Sequence, residues 1–88
     1  MEKAAPAIRV KVLFFGRLKE IVAGNEHAIE VVEGATLEEV FLRYAAKHPE
    51  LARYRGSVVA TRNQEFSPWD TELRAGDEVA FLPPVSGG

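Results

Sequence analysis

The segment that decides the fold is residues 36–47, which read TLEEVFLRYAAK. Thr36 followed three residues later by Glu39 is a capping box, in which the two side chains satisfy free N–H groups at the start of a helix. Apolar side chains then recur every three or four residues, at Leu37, Val40, Phe41, Tyr44 and Ala45. Pro49 disfavours helical geometry at His48. The segment therefore predicts one capped helix, ending at His48, whose apolar stripe packs on a sheet.

Two strand patterns precede this helix. Residues 8–15 and residues 26–32 alternate in the way typical of strands, and a turn at Gly24-Asn25 joins them into a hairpin. Between them, residues 16–24 predict a short helical turn bounded by glycines. One detail departs from a half-buried strand, because Leu13 and Phe15 lie on the face that the alternation assigns to water. Either another part of the chain or a partner must cover them.

Three further strands are predicted after the helix. A short turn over residues 51–55 leads to a strand at residues 57–62, a turn at Asn63-Gln64 and a brief strand near Phe66. The last strand is residues 78–82, after a turn at residues 75–77. The order of elements predicts an α+β roll, in which a mixed sheet of about five strands has one main helix on one face.

The composition describes an ordinary globular chain. Its 88 residues are 47% hydrophobic and 27% charged, which favours one folded domain. We place this domain at residues 1–82 and expect residues 83–88, described below, to form a flexible tail. The net charge is -2, with acids and bases interspersed, so nucleic acid is not expected as a partner. Apolar runs are far shorter than the roughly 20 residues that span a bilayer, and no secretory segment is present. We therefore expect a cytoplasmic protein that binds no membrane.

The side-chain inventory points away from an active site within the chain. There is no cysteine, so sulfur cannot be carried on a side-chain thiol, and His27 and His48 lack the spacing of a zinc site. No nucleophile with a base, no phosphate loop and no carboxylate pair is recognisable. We expect no bound metal and no catalysis by this chain alone.

The last six residues, PPVSGG, are the unusual feature. Pro83 and Pro84 favour an extended exit from the sheet, and Gly87 and Gly88 have no side chains, so the tip can enter a narrow channel. This shape suits delivery of the Gly88 carboxylate to another protein. A carboxylate is a poor electrophile, so it would have to be activated as an acyl-adenylate before a sulfur nucleophile could convert it to a thiocarboxylate.

Four segments resemble the small subunits of molybdopterin synthase, which are sulfur carriers of the ubiquitin-like β-grasp superfamily. They are residues 11–15 (KVLFF), the capped helix from Thr36, residues 76–81 (GDEVAF) and residues 83–88. The resemblance implies that an adenylyltransferase similar to ubiquitin-activating enzymes uses ATP on Gly88, and that a sulfurtransferase supplies the sulfur. The thiocarboxylate then converts cyclic pyranopterin monophosphate into the molybdopterin dithiolene of the molybdenum cofactor.

The same resemblance implies a division of labour between subunits. The chain binds no cofactor, the catalytic side chains belong to a large subunit, and two small and two large subunits form a heterotetramer. The first and last strands of a β-grasp sheet lie side by side, so the interface with the large subunit is expected at Leu13, Phe15, Leu82, Pro83, Pro84, Val85 and Ser86. The alternative is that loop residues such as Trp69 fold over the apolar positions. The residues expected to face the helix instead are Phe14, Val79 and Phe81.

Three other functions stay open. The first is a related sulfur carrier for thiazole synthesis, tRNA thiolation or cysteine formation, although the double proline at 83–84 favours the molybdopterin branch. The second is a ubiquitin-like modifier attached to lysines through Gly88. The third is a β-grasp interaction module in which the terminal glycines have no role.

Overall fold

The computed structural model describes residues 6–24 and 26–83. Its elements are β1 (Ala7–Phe14), α1 (Arg17–Val22), β2 (Glu26–Val32), α2 (Leu37–Lys47), α3 (Pro49–Ala52), β3 (Val59–Arg62), β4 (Glu65–Phe66) and β5 (Glu78–Leu82). The strands form one sheet in the order β2-β1-β5-β3-β4. β1 runs parallel to β5 and antiparallel to β2, and β3 is antiparallel to both β5 and β4. The predicted mixed sheet of an α+β roll is confirmed.

The helix α2 begins and ends as its sequence predicts. The backbone N–H of Thr36 donates to Glu39 Oε1 at 2.8 Å, and the backbone N–H of Glu39 donates to Thr36 Oγ1 at 3.2 Å. Its apolar stripe is buried against the sheet, where the Phe41 ring lies 5.3 Å from that of Phe81 and the Tyr44 ring 4.9 Å from that of Phe14. The predicted inward residues are fully buried in this core, namely Phe14, Val79 and Phe81.

Three predicted strand boundaries are wrong, and the smallest error is at the start of β1, which begins at Ala7 instead of residue 8. β1 ends at Phe14 instead of Phe15, because Gly16, with φ of 59°, turns the chain into α1. Phe15 still donates its N–H to the carbonyl of Phe81 at 3.2 Å. β3 begins at Val59 instead of residue 57, because the N–H groups of Ser57 and Val58 both donate to the carbonyl of Tyr54. Those two residues close a loop and do not pair in the sheet.

The turn expected over residues 51–55 is present at residues 53–55, but Leu51 and Ala52 form the end of a short helix, α3, which begins at Pro49. Proline is favoured at the first position of a helix, because a backbone N–H at that position would have no acceptor within the helix. The predicted limits of the domain and tail involve residues 1–5 and 84–88, and the turn at Gly24-Asn25 involves residue 25. These positions lie outside the described residues, and those predictions stay open.

Replacing Tyr44 with phenylalanine is expected to stabilise the fold. The Tyr44 hydroxyl is buried without a hydrogen-bond partner among the described residues, and a buried polar group left unpaired costs about 1–3 kcal/mol. We expect the free energy of unfolding to rise by about 1 kcal/mol in Tyr44→Phe, measured by urea denaturation at neutral pH.

A pH series supplies the second readout of this variant. Burial raises the pKa of the Tyr44 phenol. Above the ordinary pKa of 10.0 the phenol therefore ionises first in the unfolded chain, so the free energy of unfolding of the parent falls as pH rises through the higher pKa of the folded state. Tyr44→Phe should therefore show a smaller loss of stability above pH 10 than the parent chain. A clear destabilisation by Tyr44→Phe at neutral pH would contradict the prediction.

Candidate functional site

The face of the sheet opposite α2 carries a row of outward side chains across four strands. Leu13 of β1 pairs with Ala80 of β5, Ala80 pairs with Thr61 of β3, and Thr61 pairs with Phe66 of β4. Because side chains alternate along a strand, all four project from the face opposite the core residues next to them. The row therefore comes from segments that lie far apart in the chain.

This row lines an open hollow of about 410 Å³. We call its apolar members the apolar patch, which consists of Leu13, Phe15, Phe66, Ala80 and Leu82. Ala80 is buried, whereas Phe15 and Phe66 have 44% and 77% of their surface exposed. The structure thus brings together Leu13, Phe15 and Leu82, which are three of the four described residues of the predicted interface. Large exposed apolar side chains in one cluster are typical of a protein-binding surface.

Trp69 does not cover the apolar patch. Its ring stacks on that of Phe81 at a centroid distance of 5.8 Å and an interplanar angle of 13°, and it meets the edge of Phe41 at 5.3 Å. Arg55 Cζ lies 3.8 Å from the centroid of the indole. Trp69 therefore packs against the core residues that face α2, and the alternative in which it folds over the patch is wrong.

The sequence interpretation missed two patch residues, buried Ala80 and exposed Phe66, and Phe66 is the larger omission. It was treated only as part of a brief strand, although it is the most exposed of the large apolar side chains described. The usable signal was the predicted turn at Asn63-Gln64. A two-residue turn pairs Arg62 with Glu65 and Thr61 with Phe66, which places Phe66 on the same face as Thr61.

Asn63 holds this hairpin against β5. Its backbone N–H donates to the carbonyl of Glu78 at 2.7 Å, and the N–H of Glu78 donates to Asn63 Oδ1 at 2.9 Å. The Asn63 side-chain amide also donates to Asp77 Oδ1 at 3.0 Å. Asn63 and Gln64 both have positive φ, as a tight hairpin turn requires. Phe66 is therefore presented by a hairpin with a defined position.

Polar groups border the apolar patch. Gln64 Nε2 donates to Glu78 Oε1 at 3.4 Å, and both residues line the hollow. On the neighbouring strands the Lys11 ammonium lies 3.7 Å from the Glu26 carboxylate, with both side chains about half exposed. An exposed ion pair of this kind adds little stability. An apolar centre with a polar rim is the usual anatomy of a protein–protein interface.

The chain leaves β5 immediately beside this patch. Pro83 follows Leu82, and its ring lies so close to Gly16 that a Cβ built on Gly16 would be 2.8 Å from Pro83 Cγ. The absence of a side chain at Gly16 is what lets the proline approach. The remaining predicted site residues lie outside the described part of the chain, namely Pro84, Val85, Ser86, Gly87 and Gly88.

The two histidines occupy structural positions. The His27 ring packs edge-on against Phe14 at 5.8 Å and Tyr44 at 5.5 Å, and His48 lies between α2 and α3. Within residues 6–24 and 26–83 there is no group of three or more His, Cys, Asp or Glu side chains that could hold a metal ion. None of the helices in the same ranges is long and apolar enough to cross a membrane.

This topology is that of the ubiquitin-like β-grasp proteins, in which one main helix packs across a mixed sheet. The sequence model of the ThiS family matches residues 12–88, and the chain belongs to this family.

Individual relatives give more detail. The molybdopterin synthase sulfur carrier subunit of Chlamydomonas reinhardtii is 40% identical over 83 residues, which cover 92% of this chain and 100% of that protein. A chain in the complex of subunits 1 and 2 of molybdopterin-converting factor from Helicobacter pylori is 26% identical, with a TM-score of 0.64 over 92% of this chain and 100% of that chain. Small archaeal modifier protein 1 of Haloferax volcanii is 26% identical, with a TM-score of 0.77 over 89% and 99%.

Proposed function

We propose that this chain is the sulfur-carrier subunit of molybdopterin synthase and that Gly88 carries the sulfur as a thiocarboxylate. The observation that carries the proposal is the apolar patch at the point where β5 leads into residues 83–88. A partner that covers this patch is in position to receive those residues. The names of the similar proteins support the molybdopterin pathway, and so does a solved complex of subunits 1 and 2.

The proposed chemistry takes place on the terminal carboxylate. A ubiquitin-activating-like adenylyltransferase joins the Gly88 carboxylate to AMP from ATP and releases pyrophosphate. A sulfurtransferase then delivers a sulfur nucleophile that displaces AMP, because an acyl-adenylate is a far better electrophile than a carboxylate. The absence of cysteine from the sequence supports a carrier group on the backbone terminus. The chain itself needs no bound cofactor.

The proposed acceptor is cyclic pyranopterin monophosphate, held in the large subunit. Six extended residues span at most about 20 Å, so residues 83–88 can reach a buried active site while the domain stays outside. Gly87 and Gly88 add no side chains to obstruct a narrow entrance. The catalytic side chains belong to the large subunit in this proposal, and two small and two large subunits assemble. The small subunit contributes binding through the patch and sulfur through its terminus.

Incubation with the cognate activating enzyme, ATP and a sulfur source tests this proposal. We expect the intact mass to rise by the difference between one sulfur and one oxygen, and a chain truncated after Gly87 to show no such gain. Adding the large subunit and cyclic pyranopterin monophosphate should then yield dithiolene product. The mass gain without product would move the acceptor to another pathway, and no gain with an active enzyme would overturn the sulfur-carrier role.

A ubiquitin-like modifier is the second candidate, and the likeness to small archaeal modifier protein 1 favours it. The two functions predict different products in cells. A modifier leaves Gly-Gly remnants on lysines of many target proteins, whereas a carrier is recovered free or as the thiocarboxylate. Peptide mass spectrometry of a cell extract, with the truncated chain as control, distinguishes the two.

A further inference from the structure

A second hollow lies beside the apolar patch, across Phe66. It has a volume of about 400 Å³ and is lined by Val58, Val59, Ala60, Phe66, Ser67, Pro68 and Trp69. Two of these residues have large exposed apolar side chains, because Phe66 is 77% exposed and Val59 is 43% exposed. We call this group of residues the second hollow.

The second hollow and the apolar patch form one continuous surface. Phe66 is a wall of both, and Val59 of the second hollow pairs directly with Leu82 of the patch across β3 and β5. Phe66 therefore stands as a ridge with an apolar depression on each side. A protein that covers the patch reaches the second hollow by contacting the other side of the same ring.

The walls of the second hollow are held in place before any partner binds. The Ser67 N–H donates to the carbonyl of Ala60 at 3.0 Å, and Ser67 Oγ donates to the carbonyl of Glu65 at 2.9 Å. Trp69 is fixed by its stack on Phe81 and by the Arg55 guanidinium. A rigid surface loses little side-chain entropy on association, so more of its contact energy appears as affinity.

The chemistry of the hollow favours an apolar occupant. Its principal side chains are those of Val59, Phe66, Pro68 and Trp69. The nearby cation, Arg55, has its guanidinium 3.1 Å from the Glu38 carboxylate, so its charge is already neutralised. An anionic group would gain little there, whereas an aliphatic or aromatic side chain would bury its surface against apolar walls.

We propose that the partner protein that covers the apolar patch also inserts an apolar side chain, leucine-like or phenylalanine-like, into the second hollow. Its contact surface then straddles Phe66. This inference rests on the proposed function, because the partner is the large subunit of molybdopterin synthase. It adds Val59, Ser67, Pro68 and Trp69 to the binding surface.

Three variants of the full chain, titrated with the large subunit by calorimetry, test the inference. Pro68→Glu places a charge in the second hollow and should weaken binding at least about tenfold, as expected for a charge at the centre of a contact. Pro68→Leu removes the proline ring but keeps an apolar side chain, and its affinity should stay within about twofold to threefold of the parent. Leu82→Asp alters a residue that lines the apolar patch and does not line the second hollow. Thermal denaturation shows that each variant is folded at the titration temperature.

The outcomes separate this inference from the proposed function. One outcome is that Leu82→Asp weakens binding while Pro68→Glu and Pro68→Leu have the same affinity for the large subunit. The second hollow then lies outside the interface and the inference is wrong, while the proposed function stands. If neither Leu82→Asp nor Pro68→Glu changes binding, the proposed interface is wrong as well.

A spectroscopic readout from Trp69 is a second test of the inference. The chain has one tryptophan, Trp69, so incorporation of 5-fluorotryptophan gives a single ¹⁹F resonance from a wall of the second hollow. Saturation with the unlabelled large subunit should shift this resonance in the parent chain. At the same concentrations the labelled Pro68→Leu variant should show the shift, and the labelled Pro68→Glu variant should not. An unshifted resonance in a saturated complex would overturn the inference.

Discussion

Replacing Phe66 with aspartate is expected to weaken binding of the large subunit by at least about 100-fold, which corresponds to about 2.7 kcal/mol. Phe66 is a wall of both the apolar patch and the second hollow, and an aromatic side chain at the centre of an interface is a frequent hot spot. The variant also leaves a carboxylate that loses water on binding without gaining a partner. The dissociation constant from titration calorimetry is the measurement.

The fold should tolerate this change, because 77% of the Phe66 surface is exposed and the residue lies on the short edge strand β4. Val32→Asp is a matched control. Val32 is also an exposed apolar residue, at 55%, but it ends β2 at the other edge of the sheet. Affinity in Val32→Asp should equal that of the parent. A loss of less than about threefold in Phe66→Asp, or an equal loss in both variants, would contradict a specific interface around Phe66.

Local signals in the sequence predicted most of the fold. The capping box at Thr36 and Glu39 and the break at Pro49 act within a few residues, so they predicted both ends of α2. Alternation in the first strand separated inward Phe14 from outward Leu13. These patterns depend only on neighbouring residues, and tertiary packing reinforces them.

The errors arose where hydrogen bonds within a turn, or contacts with distant residues, override the strand pattern. Residues 57 and 58 have strand-like neighbours, but their N–H groups bond to Tyr54 in the loop after α3. The position of Trp69 depends on Phe81 and Arg55, which lie far away in the sequence, so no local pattern placed it on the core side. Phe66 joined the patch only through strand register, which the turn at Asn63-Gln64 determines.

The candidate site, like the fold, was predicted only in part. Leu13, Phe15 and Leu82 were predicted together because the resemblance supplied the neighbouring order of the first and last strands, which the sheet has. The second hollow was not predicted, since its walls come from β3, β4 and the loop that carries Pro68 and Trp69. The roles of Gly87 and Gly88 stay a prediction from chemistry, because both lie outside the described residues.

Replacing Phe81 with alanine is expected to lower the free energy of unfolding by about 3–5 kcal/mol. Phe81 is completely buried on β5, and its ring lies 5.4 Å from Phe14, 5.3 Å from Phe41 and 5.8 Å from Trp69. Removing it deletes the common contact of three aromatic rings and leaves a cavity that rigid neighbours can fill only in part. Urea denaturation gives the free energy, and Trp69 fluorescence reports the loss of the stacked ring.

Phe15→Ala is the matched control for this substitution, because it deletes the same side chain from the opposite face of the sheet. Phe15 is 44% exposed, so its truncation should cost less than about 1.5 kcal/mol of stability. The two variants should then differ in which property they lose, stability or affinity. Phe81→Ala loses a large share of the 5–15 kcal/mol typical of a folded domain, whereas Phe15→Ala keeps its stability and loses affinity for the large subunit. Equal destabilisation by the two would show that the apolar patch belongs to the core, and the division of the sheet into a packed face and a partner-binding face would be wrong.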